Sequence, residues 1–286
     1  MDPKLLRAFC DLVQEKAGIS LNESKAPLLV ARLARRLRAL GLSHEREYLE
    51  VLRNDEAGEE LVHFLDAIST NFTSFFREAD HFEQLAAQVA TWLAEGRRKF
   101  RFWSVASSSG EEPYTMALVV EEALAGCEVD YKILGTDIST RVLGLARAAT
   151  YSEARVEPVP RHLRNRYFTR HPGRAGGADM FEVNPALRCR ASFARLNLAA
   201  PPFPMTGPMD IVFCRNVMIY FDQRVRQALV TEIERLLAPG GLLMIGHSET
   251  LTGISTGLRS LRSSTYQKPG PRDRVSARPS RVGAGR

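Results

Sequence analysis

Residues 100–126, FRFWSVASSSGEEPYTMALVVEEALAG, constrain the fold more than any other stretch. An apolar strand runs through small residues and Gly110 into an amphipathic helix, with Pro113 in its first turn and Gly126 as its stop. A second strand, DYKILGTD (130–137), and a second helix, STRVLGLARAA (139–149), follow. Later MDIVFC (209–214) reads as a strand, DQRVRQALVTEIERLLAPGG (222–241) as a helix capped by Asp222 and closed by Gly240, and LLMIGH (242–247) as a strand. Such alternation predicts an α/β domain, a mostly parallel sheet with helices on both faces, over 96–267. Between them, two short β-like runs flank a Gly/Pro/Arg turn at 171–178, which predicts a small antiparallel insertion at about 165–190.

Before residue 95 the pattern is helical throughout. Leu5, Phe9, Leu12 and Val13 recur at helical spacing, as do Leu28, Leu29, Leu33 and Leu37, then Tyr48, Leu49 and Leu52, then Leu61, Phe64, Leu65 and Ile68. Residues 1–95 are therefore expected to form an all-α domain with its linker. In LGLSHEREYLE, Ser43 stands at the expected N-cap, with Arg46 where a capping box would place Glu.

The net charge of +6 points toward nucleic acid until its position is considered. From Lys268 to Arg286 the chain carries one lysine and five arginines against one aspartate, which is +5 of that total, so the folded body is nearly neutral. This Pro/Gly/Arg tail, 268–286, has no hydrophobic periodicity and is expected to be a disordered, solubilising segment. Cys10, Cys127, Cys189 and Cys214 are scattered, which argues against a disulfide framework or a metal site and for reduced thiols, mostly in the core. No apolar run approaches the ~20 residues needed to span a bilayer, and the N-terminus is a charged amphipathic helix, so a cytoplasmic protein is expected.

Ligands of open parallel sheets sit beyond the carboxyl ends of the strands. There this sequence places Glu111 and Glu112 after the first strand, Asp137 after the second, Asn197 after ASFAR, and Asn216 after DIVFC. No lysine follows Gly110, and two acids at that turn would repel a pyrophosphate. The matching ligand offers a ribose to a carboxylate, an adenine edge to amides or backbone, and a cationic end: S-adenosylmethionine has all three and no phosphate. Asp137 is the residue expected to grip the ribose. An NAD-dependent dehydrogenase would need G-x-G-x-x-G, of which only Gly110 is present. An adenine-directed nucleic-acid methylase would carry a Pro-Pro-aromatic tetrad where this chain has NVMIY. A non-catalytic cofactor-sensing or scaffold module stays open on spacing alone.

Five stretches, STNFTSFFREADHF (69–82), WSVASSSGEEPYTMA (103–117), LGTDIST (134–140), VFCRNVMIYFD (212–222) and PGGLLMIGHSE (239–249), together resemble the signatures of the chemotaxis receptor methyltransferases, the CheR-type protein-glutamate O-methyltransferases. The likeness runs from about residue 5 to 267. It implies an all-α N-terminal domain joined to a class I S-adenosylmethionine-dependent, Rossmann-like methyltransferase domain with a small β insertion. By motif position, Asn71, Thr73 and Arg77 would reach the cofactor from the interdomain segment, with Arg77 at the methionyl carboxylate. Glu112 would meet the ammonium or nearby polar atoms, Asp137 the ribose, and Asn197, Leu198, Asn216 and Val217 the adenine and methyl-donor side. Tyr220 would stand at the transfer site, beside Arg77, as a positioning group. Ala106 and Ser107 stand where the family often has glycine and cysteine; both are small, so close approach of the cofactor is expected to survive.

The implied reaction is attack of a receptor glutamate on the sulfonium methyl, leaving S-adenosylhomocysteine, with no metal and no general base. The partner would be the cytoplasmic helices of chemotaxis receptors, with no nucleic acid and no membrane insertion, and the insertion is a candidate dock for a receptor C-terminal peptide. KAPLLVARLARRLRALG sets Lys25, Arg32, Arg35 and Arg36 opposite its leucines, and the resemblance implies that this basic face meets the acidic receptor helices. Charge reversal at Arg35 and Arg36 is expected to weaken receptor methylation more than cofactor binding; methyl-transfer assays and calorimetry on the same variants check this, and equal losses would refute it.

Overall fold

The computed structural model describes residues 2–20, 26–55, 58–68, 71–173 and 177–270. Lys25, the side chain of Leu28 and tail residues 271–286 lie outside the described residues. Four helices come first: α1 (Pro3–Ala17), α2 (Ala26–Leu40), α3 (Glu45–Arg53) and α4 (Glu59–Ile68). Their apolar stripes close on one core of Phe9, Val13, Leu33, Tyr48, Phe64 and Leu65. Inside it the Tyr48 hydroxyl donates to Glu60 Oε1 at 2.6 Å, and Arg36 grips both oxygens of Glu60, at 2.6 and 2.5 Å. Burial would raise the Glu60 carboxyl, but the bonds from Arg36 and Tyr48 outweigh it and hold Glu60 below its ordinary range. α1 starts as an Asx cap, with Asp2 accepting from the Lys4 N–H at 3.0 Å. α3 does not follow the expected pattern: its N-cap is His44, without a side-chain bond, because the helix begins at Glu45, one residue later than a Ser43 cap requires.

After α5 (Asp80–Ala94) come β1 (Lys99–Ser104), α6 (Glu111–Leu124), β2 (Asp130–Asp137), α7 (Thr140–Ala148), β3 (Thr150–Ser152), α8 (Glu153–Val156), α9 (Arg161–Tyr167), β4 (Phe168–His171), β5 (Met180–Val183), α10 (Pro185–Arg188) and β6 (Ala191–Arg195). β7 (Met209–Cys214), α11 (Gln223–Leu236), β8 (Leu237–Ile245), β9 (Arg259–Arg262) and β10 (Thr265–Gln267) follow among the described residues. The large sheet has the order β6-β2-β1-β7-β8-β10-β9, parallel through β8 and antiparallel in its last two strands. Strand order reverses between β1 and β7, which leaves a crevice beyond their carboxyl ends.

β7 is buried along its whole length and shows how the layers are built. Ile211 and Phe213 face a core with Phe82, Leu85, Phe102 and Tyr114, while Val212 and Cys214 face a second core with Trp103, Leu229 and Ile233. α5 belongs to the first of these cores through Phe82, Leu85, Val89 and Trp92. The helical stretch up to residue 95 is thus divided by its packing: α1–α4 share one core and α5 joins the sheet.

Several local expectations are corrected. α11 ends at Leu236, and Gly240 lies within β8 rather than closing the helix. The insertion is a three-stranded antiparallel sheet, β3-β5-β4, whose third strand comes from residues 150–152, ahead of the predicted span. Cys214 is buried, but Cys127 and Cys189 are exposed and Cys10 is half-buried, so the free thiols are not mostly core. The β9–β10 pair was not anticipated, since RSLR is exposed throughout and shows no alternation. No helix among the described residues is long and apolar enough to cross a membrane.

Gly110 sits at φ 96, and a Cβ there would lie 2.9 Å from both Ala146 Cβ and Tyr151 Oη. Gly110→Ala is therefore expected to cost roughly 2–4 kcal/mol, read as a lower urea midpoint at unchanged m-value. Gly144→Ala on α7, where a Cβ meets nothing within 4 Å, should instead gain about 0.5–1 kcal/mol.

Candidate active site

At the switch point the carboxyl ends of β1, β2 and β7 frame a crevice of about 1160 Å³, including its open mouth. The sheet brings Glu112, Asp137, Asn197, Leu198, Asn216 and Val217 to its walls. The segment 71–79, between α4 and α5, adds Asn71, Phe72, Thr73 and Arg77, and Tyr220 and Phe221 close the side below β7. Every cofactor-contact residue expected from the motifs thus faces one cavity.

The details separate their roles. Asp137, at the end of β2, is buried and accepts from the Ser108 N–H and the Ser139 N–H, both at 2.9 Å. Burial pushes its carboxyl up, against the pull of those N–H groups. The cap of α7 is Ser139, whose hydroxyl accepts from Val142, so Asp137 is not spent as a helix cap. Of the two acids after Gly110, Glu111 turns away from the crevice, buried against Arg155 at 2.6 Å. Glu112 faces it, accepting from Ser104 Oγ at 2.7 Å and Arg215 at 3.1 Å. Burial raises the Glu112 carboxyl, and Arg215 and Ser104 only partly offset this. Asn197 is braced by Lys16 and Ala199, with Nδ2 donating to the Lys16 carbonyl at 2.7 Å. Arg77 donates to the Phe72 carbonyl at 3.1 Å and lies over the Phe72 ring, which is itself 75% exposed at the mouth. Asn71 lines the crevice, and its buried Nδ2 has no hydrogen-bond partner among the described residues.

Arg215 is the residue that reading by motif missed. Its side chain is 1% exposed and binds Glu78 at 3.1 Å, Glu112 at 3.1 Å, and the Arg77 carbonyl. Asn216 Nδ2 donates to the other Glu78 oxygen at 3.1 Å. Burial would raise Glu78, yet Asn216 and Arg215 hold it below its ordinary range. The signal was the adjacency of Arg215 to the apolar run IVFC (211–214), beside which a charge must find buried partners. Glu78 also lies near His81 and His247, with one potential ligand atom from each within 4.8 Å. The guanidinium already on Glu78 opposes a cation there.

The helical unit completes the crevice. Ala17, Ile19, Leu29 and Arg32 line one wall, and Ile19 forms an antiparallel bridge with Phe221. The Ser20 N–H donates to the Tyr220 carbonyl at 2.8 Å, and Gln14 to Asp222 at 2.7 Å. Of the basic face of α2, Arg32 reaches the crevice and Arg35 is exposed, whereas Arg36 is held by Glu60. Arg35 is therefore the cleaner position for the charge reversal, because reversal at Arg36 also breaks a pair within the helical core.

Two family models match the chain in succession: the all-alpha domain of the CheR methyltransferases over residues 4–69 and their SAM binding domain over residues 71–267. The chain is 41% identical over 250 residues to chemotaxis protein methyltransferase 2 of Pseudomonas aeruginosa, covering 87% of each chain. It is 39% identical over 246 residues to a probable chemotaxis protein methyltransferase of Rhizobium etli, covering 85% of this chain and 91% of that one. To the chemotaxis protein methyltransferase of Escherichia coli it is 38% identical over 248 residues, covering 87% and 85%.

Arg215→Met would leave Glu78 and Glu112 without their shared cation and is expected to destabilise the fold by about 3–5 kcal/mol. The deficit should shrink on acidification, because protonation of Glu112, whose carboxyl is already raised, removes one uncompensated charge. Urea unfolding of both proteins at neutral and mildly acidic pH measures it.

Proposed function

Because the chain belongs to the CheR methyltransferase family, whose second domain binds S-adenosylmethionine, we propose that it methylates glutamate side chains of chemotaxis receptors, leaving methyl esters and S-adenosylhomocysteine. The observation that carries this reading is the donor set of the crevice. Arg77, Glu112, Asp137 and Asn71 line a space with no phosphate cradle among the described residues. A cationic amino-acid nucleoside fits such a set, and a dinucleotide does not.

In this reading Arg77 takes the methionyl carboxylate, with Asn71 and Thr73 beside it. Glu112 faces the ammonium, Asp137 holds the ribose, and Asn197, Leu198, Asn216 and Val217 flank the adenine and the donor. When bound, the sulfonium supplies an electrophilic methyl group. The substrate glutamate, with a reference pKa of ~4.3, is ionised near neutrality, so no side chain of the enzyme needs to remove a proton. Arg77 and Tyr220 orient and shield the incoming carboxylate. Alignment of this kind is worth on the order of 7–11 kcal/mol, and exclusion of water strengthens the electrostatics. Arg32 and Arg35 on α2 form the complementary surface for an acidic receptor helix, with Arg36 contributing through its hold on Glu60. β4, an edge strand of the small sheet, offers unpaired backbone groups to a receptor tail peptide.

The test is methyl transfer from labelled S-adenosylmethionine to receptor-containing membranes and, separately, to DNA. Label on receptor that mild alkali releases as methanol is expected; alkali-stable label, or transfer to DNA alone, would overturn the glutamate assignment. Asp137→Ala should lose ~1.5–3 kcal/mol of S-adenosylhomocysteine affinity, measured by calorimetry on the folded variant. Cofactor affinity should be full while Glu112 is ionised and fall as pH drops through its raised carboxyl pKa, above the ordinary glutamate range.

A further inference from the structure

The turn from Asn216 to Tyr220 lines the crevice at both ends, through Asn216 and Val217 and through Tyr220, yet its backbone is held from behind. Asn216 sits in the left-handed region at φ 56, which asparagine adopts more readily than most side-chain-bearing residues. After it Met218–Tyr220 form a single 3-10 turn whose first N–H groups have no partner within the turn. The chain leaving β8 supplies that partner. Glu249, 9% exposed, accepts from the Asn216 N–H at 2.8 Å and the Gly246 N–H at 2.7 Å through Oε2, and from the Ile219 N–H at 3.3 Å through Oε1. No salt bridge to Glu249 is found among the described residues, so its carboxylate is committed to these backbone donors.

Gly246 completes the arrangement. A Cβ there would lie 2.5 Å from Asn216 Nδ2, 2.9 Å from the Asn216 backbone nitrogen and 2.9 Å from Glu249 Oε2. The turn and the Gly246–Glu249 segment thus interlock with no room for a side chain between them. Glu249 does not line the crevice, so any influence on the reaction passes through the turn.

We propose that Glu249 is a positioning residue of the methyltransferase: its carboxylate fixes the Asn216–Tyr220 turn in the shape that receives the cofactor and sets Tyr220 at the transfer site. The proposal rests on the reading of the crevice given above. Glu249→Gln keeps the volume but turns an NH2 group toward backbone donors. Hydrogen exchange read by mass spectrometry, without ligand, should show residues 215–220 protected in the wild-type chain. In Glu249→Gln that protection should be lost while β7 and β8 keep theirs. S-adenosylhomocysteine should bind about tenfold or more weakly and kcat should fall, with the KM for receptor membranes unchanged. Gly246→Ala presses on the same turn with the carboxylate intact and should give the same pattern. Fast exchange of residues 215–220 in the wild type, or wild-type affinity and kcat in both variants, would overturn the proposal. A wild-type chain that fails to bind S-adenosylhomocysteine would instead strike the reading of the crevice; the exchange arm contains no ligand, so the two failures are distinguishable.

Discussion

Arg215 carries a charge that almost no water reaches, and a buried guanidinium costs several kcal/mol unless other groups replace its hydration. Here the replacements reach Arg215, at the end of β7, from two other parts of the chain: Glu78 and the Arg77 carbonyl from the segment ahead of α5, and Glu112 from the first turn of α6. Satisfying one cation therefore draws the interdomain segment, the acidic turn and the central strand to one point. Arg77, Glu112 and Asn216 stand at the crevice because each is, or adjoins, a partner of that charge.

The same crevice depends on the helical unit for its remaining wall. Ile19 and Ser20 pair with Phe221 and Tyr220 as a short strand would, and Lys16 offers its carbonyl to Asn197. The α2 residues Leu29 and Arg32 and the residues at the strand ends consequently line one crevice. Tyr220 is held at its backbone by Ser20 on one side, and its turn is held by Glu249 on the other.

Much of this was legible before the fold. The alternation of strand and helix after residue 100, the small-residue turn with acids in place of lysine, and Asp137 at a strand end each follow from local pattern, because periodicity of 2 or 3.6 and turn chemistry are properties of neighbouring residues. Asn197 and Asn216 were likewise legible as strand-end residues, whereas Asn71, Thr73, Arg77, Leu198 and Val217 were reached through family motifs rather than spacing. The partners of Arg215 were not legible, nor was the use of Arg36 inside the helical core, since Glu60 lies 24 residues away from it and Glu78 lies 137 from Arg215. Nor could spacing distinguish Glu111 from Glu112; only the direction of the first turn of α6 sends one to Arg155 and the other to the crevice.

The amino-acid sequence by itself determined the class of fold, the two kinds of core, and the chemical character of the ligand, because burial patterns and the absence of a phosphate cradle are written residue by residue. Tertiary structure alone decided which acids face the crevice, that Arg36 of α2 is spent on Glu60 while Arg35 is exposed, and that Glu249 braces the Asn216–Tyr220 turn. Those outcomes depend on where buried charges and unpaired backbone N–H groups find partners far away in the chain, and low-dielectric burial leaves few arrangements that satisfy them all.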